Sequence, residues 1–185
     1  MNRRIFSFDP PDRFVCGALG QPGQRTFLLQ AAKGGQVVSV VVEKAQVAVL
    51  AERLAALLLG LRERGVEIEA TSEPDAEPLS EPVREEFRVG QISLAWDPQR
   101  ERVVIEAREL SELDAEDEDQ DQDEGEGDRL DGPDLVRVSL RPAEAHAFVT
   151  RAVAVMRAGR PPCPNCGAPL DPRGHFCPRR NGYTH

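Results

Sequence analysis

The spacing of apolar residues in the first half of the chain changes from that of strands to that of a helix. Residues 5–8 form a short apolar run that ends at an Asp-Pro-Pro sequence, and proline cannot donate to a sheet ladder, so this run is at most a short edge strand. Residues 13–19 and 25–31 flank the turn GQPGQ and predict a hairpin. Residues 36–42 contain five valines, a β-branched run typical of a buried strand.

A helix is predicted next, because apolar residues recur there every three or four positions. These residues are Val47, Leu50, Leu54, Leu57, Leu58 and Leu61. Gly65 lies just beyond them, where a helix commonly ends. Residues 70–82 contain three prolines and several acids and predict a loop.

The second half of the chain shows the same order of elements. Residues 87–95 and 102–107 predict two strands around an Asp-Pro-Gln turn, and residues 135–140 predict a third strand. Residues 142–157 predict a helix that begins with proline, whose missing N–H would have no partner at that position. The apolar stripe of this helix comprises Ala145, Phe148, Val149, Ala152 and Met156.

The two halves also align with each other. The sequence VVSVVVEKAQVAVLAERLAALL from Val37 aligns without gaps with LVRVSLRPAEAHAFVTRAVAVM from Leu135. Upstream, FLLQA aligns with VVIEA, and the Phe-x-x-Gly sequence at Phe14 aligns with the one at Phe87. We therefore predict an α+β fold made of a duplicated β-β-β-α unit, with a mostly antiparallel sheet and two helices in pseudo-twofold relation. The alternative is a chance likeness between two amphipathic segments.

These alignments predict how the chain is divided. The duplicated α+β domain is expected at residues 1–159, with repeat one at about 13–65 and repeat two at about 84–158. Residues 109–134 hold fourteen acids and one arginine, a net charge of −13, so the rest of this −9 chain carries +4. Such a segment cannot bury enough apolar surface to fold, and a solvated, disordered insertion is expected, although it could instead bind a divalent cation or a basic partner, or mimic nucleic acid. Residues 160–185 form a separate tail.

Three of the four cysteines lie in this tail. Cys163 and Cys166 have the C-x2-C spacing that presents two thiolates to one metal ion, and Cys177 is a third ligand on the return arm. No signal peptide or membrane-spanning run is apparent in the sequence, so we expect a cytoplasmic protein, in which clustered cysteines more often bind metal than form disulfides. The tail is therefore predicted to be a zinc knuckle.

Spacing alone leaves three candidates for the fourth ligand. His175 is the first choice, because residues i and i+2 of an extended arm can face the same ion. His185 is an alternative on a longer tether, and Asp171 is a weaker oxygen donor. Four protein ligands would make a closed structural site, whereas a missing fourth ligand would open the ion to water and to metal-assisted hydrolysis.

The remaining candidate residues indicate no reaction. Cys16 lies within a predicted strand and is expected to be a buried small residue, and His146 is expected at the surface of the second helix. No phosphate loop, nucleophile elbow or zinc-protease motif is present, and no nucleophile–base pair can be assigned. No catalytic residue is predicted, and a non-enzymatic protein is favoured.

The chain resembles an uncharacterised bacterial family, found mainly in actinobacteria, that is called domain of unknown function 3090 and has also been catalogued as a "repeat protein" family. The likeness covers nearly the whole chain and depends on FDPPDRFVCGALGQPGQRTFLLQA, EEFRVGQISLAW and RPPCPNCGAPLDPRGHFCPRRNGY. The resemblance implies the ligand set Cys163, Cys166, His175 and Cys177. It favours this set over one with His185, places Cys16 outside the family pattern, and implies no activity.

The leading functional hypothesis is a binding or adaptor protein. The predicted zinc knuckle would meet its partner with a basic rim of Arg173, Arg179 and Arg180. A protein partner is favoured over nucleic acid, because only Phe176 and Tyr183 are available to stack on bases and the acidic insertion would repel a polyanion. The second hypothesis is an enzyme, or a subunit of one, with a small ligand between the two repeats. No membrane partner is expected, and the oligomeric state is left open.

Overall fold

A computed structural model of the chain shows a mixed α+β fold with one sheet and two helices, as predicted. The structure describes residues 3–21, 23–68, 75–111, 132–158, 163–167 and 177–180. The strands are β1 (Ile5–Phe8), β2 (Arg13–Leu19), β3 (Thr26–Lys33), β4 (Gln36–Val42), β5 (Glu85–Asp97), β6 (Arg102–Glu109) and β7 (Leu135–Leu140). The helices are α1 (Lys44–Glu63) and α2 (Pro142–Arg157), and a 3-10 turn spans Pro178–Arg180. The acidic insertion lies almost entirely outside the described residues.

Both helices begin in the same way, one residue after a buried strand. The side chain of Gln46 accepts a hydrogen bond from the backbone N–H of Glu43, with 2.8 Å between nitrogen and oxygen. The side chain of Glu144 accepts the corresponding bond from Arg141 at 2.7 Å. In each helix the third residue thus satisfies a backbone donor that has no partner within the helix, as in a capping box.

The seven strands form one sheet in the order β1-β7-β6-β5-β4-β3-β2. The pairs β2–β3, β3–β4, β5–β6 and β6–β7 are antiparallel, whereas β4–β5 and β1–β7 are parallel. The predicted, mostly antiparallel sheet is therefore confirmed. In the described part of the chain, no helix is both long enough and apolar enough to cross a bilayer.

The two edge strands of this sheet follow each other in the chain. Only four residues separate Phe8 at the end of β1 from Arg13 at the start of β2, and they span at most about 18 Å. Seven strands in a flat sheet would be about 29 Å across. The sheet must therefore curl until its edges approach each other. The linker is held to β3, because Asp12 N–H donates to Ala32 O at 2.8 Å and Lys33 Nζ donates to Asp9 O at 2.5 Å.

One apolar core fills the inside of the curled sheet and continues between the helices. α2 packs on β2, and α1 packs on α2 and on β5, so each helix contacts the first long strand of the other half. The cavity left inside has a volume of about 10 Å³, which is room for about one water molecule. It is lined by Phe14, Leu29, Ala31, Val38, Val40, Ile105, Ala107, Val136 and Val138. Among the described residues, the space between the inner faces of β3, β4, β6 and β7 is thus filled by side chains.

The last two strands of each half pair in the same register. β3 and β4 place Phe27 opposite Val42, Leu29 opposite Val40 and Ala31 opposite Val38. β6 and β7 place Val103 opposite Leu140, Ile105 opposite Val138 and Ala107 opposite Val136. The sequence alignment of these strands and their pairing in the sheet therefore agree residue by residue.

The alignment of the first strands was wrong. Phe14 pairs with Ala31, and Ile92 pairs with the equivalent Ala107, so Phe14 corresponds to Ile92 and not to Phe87. β1 shows the same offset, because Ser7 beside β7 corresponds to Glu85 beside β4. β1 and β2 together thus correspond to the continuous strand β5. The Asp-Pro-Pro sequence interrupts the first half because proline cannot donate to the ladder.

Each glycine of the misaligned Phe-x-x-Gly sequences lies under a leucine. A Cβ on Gly17 would be 2.6 Å from Cγ of Leu79, and a Cβ on Gly90 would be 2.8 Å from Cα of Leu110. The two leucines belong to unrelated segments, one before β5 and the other after β6. The shared glycine therefore reflects the same local need for space, and it does not mark equivalent positions.

Residues 75–83, which we call the strap, cross the outer face of β2, β3 and β4. Leu79 packs there with Val15, Leu28 and Val41 in a small second core. The strap is held from the other half of the protein by Arg151 of α2, whose side chain is 8% exposed. Arg151 donates to Cys16 O of β2 at 2.8 Å and to Glu77 O of the strap at 2.6 Å. A buried cation of this kind is stable only when its donors are paired.

We predict that Arg151→Met destabilises the protein by about 1–3 kcal/mol, because Cys16 O and Asp75 O lose the donor that Arg151 supplies and the Asp75 carboxylate keeps only its pairing with Arg13. The measurement is urea unfolding followed by circular dichroism. Arg53→Met is the matched control, because Arg53 is exposed at the aligned position of α1 and should change stability by less than about 0.5 kcal/mol. Equal effects of the two substitutions would contradict the assigned role of Arg151.

Candidate metal centre

The first arm of the cysteine cluster is a tight turn. Pro164, Asn165 and Cys166 form the turn after Cys163. It closes with a hydrogen bond from Gly167 N–H to Cys163 O at 2.8 Å. Gly167 has a φ of +77°, a conformation that residues with a Cβ rarely adopt. The glycine thus allows the chain to reverse directly after the second cysteine.

The second arm brings Cys177 against the first. Cys177 immediately precedes the 3-10 turn Pro178–Arg180. Nη1 of Arg179 donates to Asn165 O at 3.3 Å and so links the two arms. This hydrogen bond is long and exposed, so it is weak. The cysteine side chains also contact each other across the two arms.

The three sulfur atoms have the spacing of ligands around one ion. All lie within 4.8 Å of one another, and Sγ of Cys163 is 3.9 Å from Sγ of Cys177. Thiolates bound tetrahedrally to zinc would be about 3.8 Å apart, because each Zn–S bond is about 2.3 Å, whereas a disulfide bond is about 2.05 Å. Cys163 and Cys177 are buried and Cys166 is half-buried. The cluster is therefore three free thiols that can bind a metal ion.

The backbone favours the thiolate form at Cys163. The N–H groups of Asn165 and Cys166 donate to its sulfur and lower the pKa of the thiol, and the thiols of Cys166 and Cys177 lower it further. Metals bind the thiolate and not the thiol. The turn thus favours the thiolate form of Cys163, which is the form that can bind a metal ion.

The candidates for a fourth ligand lie outside the described residues. His175, the first choice from the sequence, lies outside them, as do the alternatives His185 and Asp171. Arg173 of the predicted basic rim, Phe176 and Tyr183 lie outside them as well. The assignment of His175 stays a prediction.

The fourth cysteine is far from the cluster. Cys16 lies in β2 with no exposed surface, and burial raises the pKa of its thiol to about 11. It is thus a packing residue, as the sequence indicated. His146 is half-buried on α2, and its Nδ1 has no hydrogen-bond partner within the described part of the chain.

A second candidate site is a cleft of about 130 Å³ between β2 and α2. It is lined by Pro11, Asp12, Arg13, Phe14, Val15, Asp75, Leu140, Glu144, Ala147, Phe148 and Arg151. The rings of Phe14 and Phe148 stack with their centres 4.9 Å apart. This site was not predicted from the sequence, because an arginine at this helix position is also found in α1, where Arg53 is exposed.

Asp75 in the cleft is paired with two arginines. Asp75 accepts hydrogen bonds from Arg13 Nε at 2.6 Å and from Arg151 Nη1 at 2.7 Å. The bonds from Arg13, followed by the charges of Arg13 and Arg151, lower the pKa of Asp75, and Asp75 raises the pKa of Arg13. Asp75 therefore stays ionised at neutral pH and is not a general acid. These paired groups therefore do not provide acid–base chemistry.

Comparison with known proteins identifies one family. A family model described as "protein of unknown function (DUF3090)" matches residues 6–177 of the 185-residue chain. The match includes Cys163, Cys166 and His175 and ends at Cys177. No curated protein and no solved structure matches the chain.

We predict that three thiols of the native protein react quickly with a disulfide reagent once a chelator is present, and that Cys16 reacts at least about a hundredfold more slowly, because its pKa near 11 reduces the thiolate fraction tenfold per unit. The measurement is stopped-flow absorbance with Ellman's reagent. Cys16→Ala should keep the three fast thiols and lose the slow one. Four fast thiols in the folded protein would contradict this distinction.

Proposed function

The chain belongs to the DUF3090 family of proteins of unknown function, and on that premise we propose that it is a zinc-binding adaptor protein whose C-terminal knuckle binds a partner protein. The observation that carries the proposal is the group of three cysteine sulfurs within 4.8 Å of one another. Three soft ligands on two short arms favour a metal that prefers thiolate.

Zinc is the ion that the donor set favours. Thiolates also bind cuprous ions and iron–sulfur clusters, but three cysteines with one histidine are a common structural zinc set. His175 is the proposed fourth ligand, because it lies two residues before Cys177 and within the family match. When bound, zinc would supply folding energy to a tail that is too short for a core of its own.

The tail carries positive charge, which suits a surface that binds an acidic partner. Arg173, Arg179 and Arg180 lie close in sequence to His175 and Cys177, and the acidic insertion carries the opposite charge. A protein partner with an acidic or mixed surface fits this rim better than nucleic acid, which the insertion would repel. We place this activity in the cytoplasm, where the thiols would stay reduced.

We also propose that the domain that bears the tail arose by duplication of a β-β-β-α unit. The identical register of β3–β4 and β6–β7 supports this origin, as do the matching hydrogen bonds at the starts of α1 and α2. On this view the first copy begins at about residue 5 and not at 13, because β1 corresponds to the start of β5. The two copies are then residues 5–65 and 84–158, and residues 160–185 form a separate module added after the second copy.

A second function is favoured by the cleft between β2 and α2. It lies between the two proposed copies, where the sequence suggested that a small ligand would bind. Its volume of about 130 Å³ is below the roughly 300–1,000 Å³ of most ligand pockets. A small polar molecule is the largest ligand that it fits without rearrangement, so the adaptor function remains the first proposal.

We predict that the protein purifies with about one zinc ion per chain and that Cys163→Ser loses it, because three remaining ligands bind zinc far more weakly than four. Metal content is measured by mass spectrometry, and amide exchange and thermal melting report the tail and the domain. The tail should lose protection while the domain melts as before. Cys16→Ala is the control that keeps zinc.

The ligand assignment is tested in the same way. His175→Ala should lower zinc affinity strongly and His185→Ala should not. A full zinc complement in His175→Ala would contradict the proposed ligand set, and a failure of the whole domain to fold in Cys163→Ser would show that the knuckle belongs to the core.

We predict that affinity capture from a native lysate recovers a partner protein with the wild-type chain and not with the zinc-free Cys163→Ser chain. Arg179→Gln/Arg180→Gln keeps the cysteines and should weaken capture, because the rim charges are lost. Nucleic acid is measured in the same eluates. Capture that is unchanged by both variants would contradict the adaptor proposal, and the absence of any partner would favour the small-ligand cleft.

A further inference from the structure

The strap is bound to the domain in the manner of a peptide ligand. The strap is not a strand of the sheet but lies across three strands. It is contacted by side chains of β2, β3, β4 and α2. We call the receiving surface the strap groove. Its residues are Arg13, Val15, Leu28, Gln30, Val41 and Arg151.

Two arginines bind the first part of the strap. Arg13 holds the carboxylate of Asp75 through Nε and Nη2, at 2.6 and 2.9 Å, and Arg151 adds a third bond at 2.7 Å. The same arginines donate to the backbone oxygens of Glu77 and Pro78 at 2.6–3.0 Å. Bidentate pairing of arginine with a carboxylate is among the strongest polar contacts and gives it a defined orientation.

A leucine pocket and one amide bind the second part. Leu79 is 8% exposed and fits over Gly17, where no larger residue would leave it room. The side chain of the buried Gln30 donates to Ser80 O at 3.1 Å and accepts from Ser80 N–H at 2.7 Å. Gln30 thus pairs with both backbone groups of Ser80, as a residue of a neighbouring strand would.

The outer face of the other half does not carry the same set of side chains. At the positions equivalent to Val15, Gln30 and Val41, the second half has Ser93, Glu106 and Ser139. Glu106 is paired there with Arg137 on the neighbouring strand, with 2.6 Å between Oε1 and Nε. Val104, at the position equivalent to Leu28, is apolar, but the other three residues make this face more polar than the strap groove. Among the described residues, the apolar pocket with its paired arginines is therefore a feature of the first half.

We propose that the strap groove is a peptide-binding site that the chain fills with its own residues 75–80, and that in trans it takes an extended segment of a partner protein with a carboxylate followed four residues later by leucine. Most of its polar contacts reach backbone atoms, so the carboxylate and the leucine alone set the sequence requirement. The tethered strap competes at an effective concentration in the millimolar range, which makes it an internal inhibitor of this site. This inference does not depend on the metal centre.

The test uses the full chain and a fluorescent synthetic peptide, SEPDAEPLSEPV, that copies residues 72–83. Asp75→Ala/Leu79→Ala weakens the internal occupant, and this variant should bind the peptide at least about tenfold more tightly than the wild type does. A peptide with alanine at both anchors should bind at least about tenfold more weakly. A peptide with alanine at the position of Glu77 is the matched control and should bind normally, because Glu77 contributes its backbone oxygen.

The wild-type protein provides a second measurement. The N–H of Ser80 is bonded to Gln30, and an excess of peptide should speed its hydrogen exchange if the strap is displaced. If the double variant does not fold, Asp75→Ala alone is used, because it keeps Leu79 in its pocket. A folded variant that binds no peptide, or that binds the double-alanine peptide equally well, would overturn the proposal. Dimers without peptide binding would assign the groove to a second copy of the chain and would also overturn it.

Discussion

The structure depends on a constraint of chain connectivity. β1 and β2 lie at opposite edges of a seven-stranded sheet and are joined by only four residues. The sheet has to curl to satisfy this linker, and curling turns the inner faces of all strands toward one interior. The two helices then complete a core that contains residues from both halves. A short loop thus makes the two halves one cooperative unit, although each half has the elements of a separate β-β-β-α unit.

The outer face of the sheet is where the halves differ. In the first half it is apolar and covered by the strap, whereas in the second half Glu106 and Arg137 form an ion pair. Arg151 connects these features, because it extends from α2 of the second half to β2 and the strap of the first. Its counterpart Arg53 is exposed. The two similar helices therefore have different roles. Through Arg151, α2 binds β2 and the strap of the first half, whereas the matching arginine of α1 is exposed.

The metal centre and the cleft differ in how far apart their residues lie in the sequence. The cysteine cluster is local, since a four-residue turn and one returning arm bring the sulfurs together. The cleft is global, because Arg13, Asp75 and Arg151 come from three separate parts of the chain and meet only when the strap crosses the sheet. Asp75 is paired with both arginines and stays ionised, which suits a structural or binding role better than proton transfer.

The sequence by itself determined the order of the elements and the cysteine cluster. Apolar spacing, proline and glycine located all seven strands and both helices, because these signals act within a few residues. The cysteine spacing predicted the cluster for the same reason. Only the tertiary structure decided that β1 and β2 together correspond to β5, since the Phe-x-x-Gly likeness came from leucines that cover Gly17 and Gly90. Only it placed Arg151 beside Asp75, because a contact across 76 residues depends on how the sheet curls and leaves no periodic signal in the chain.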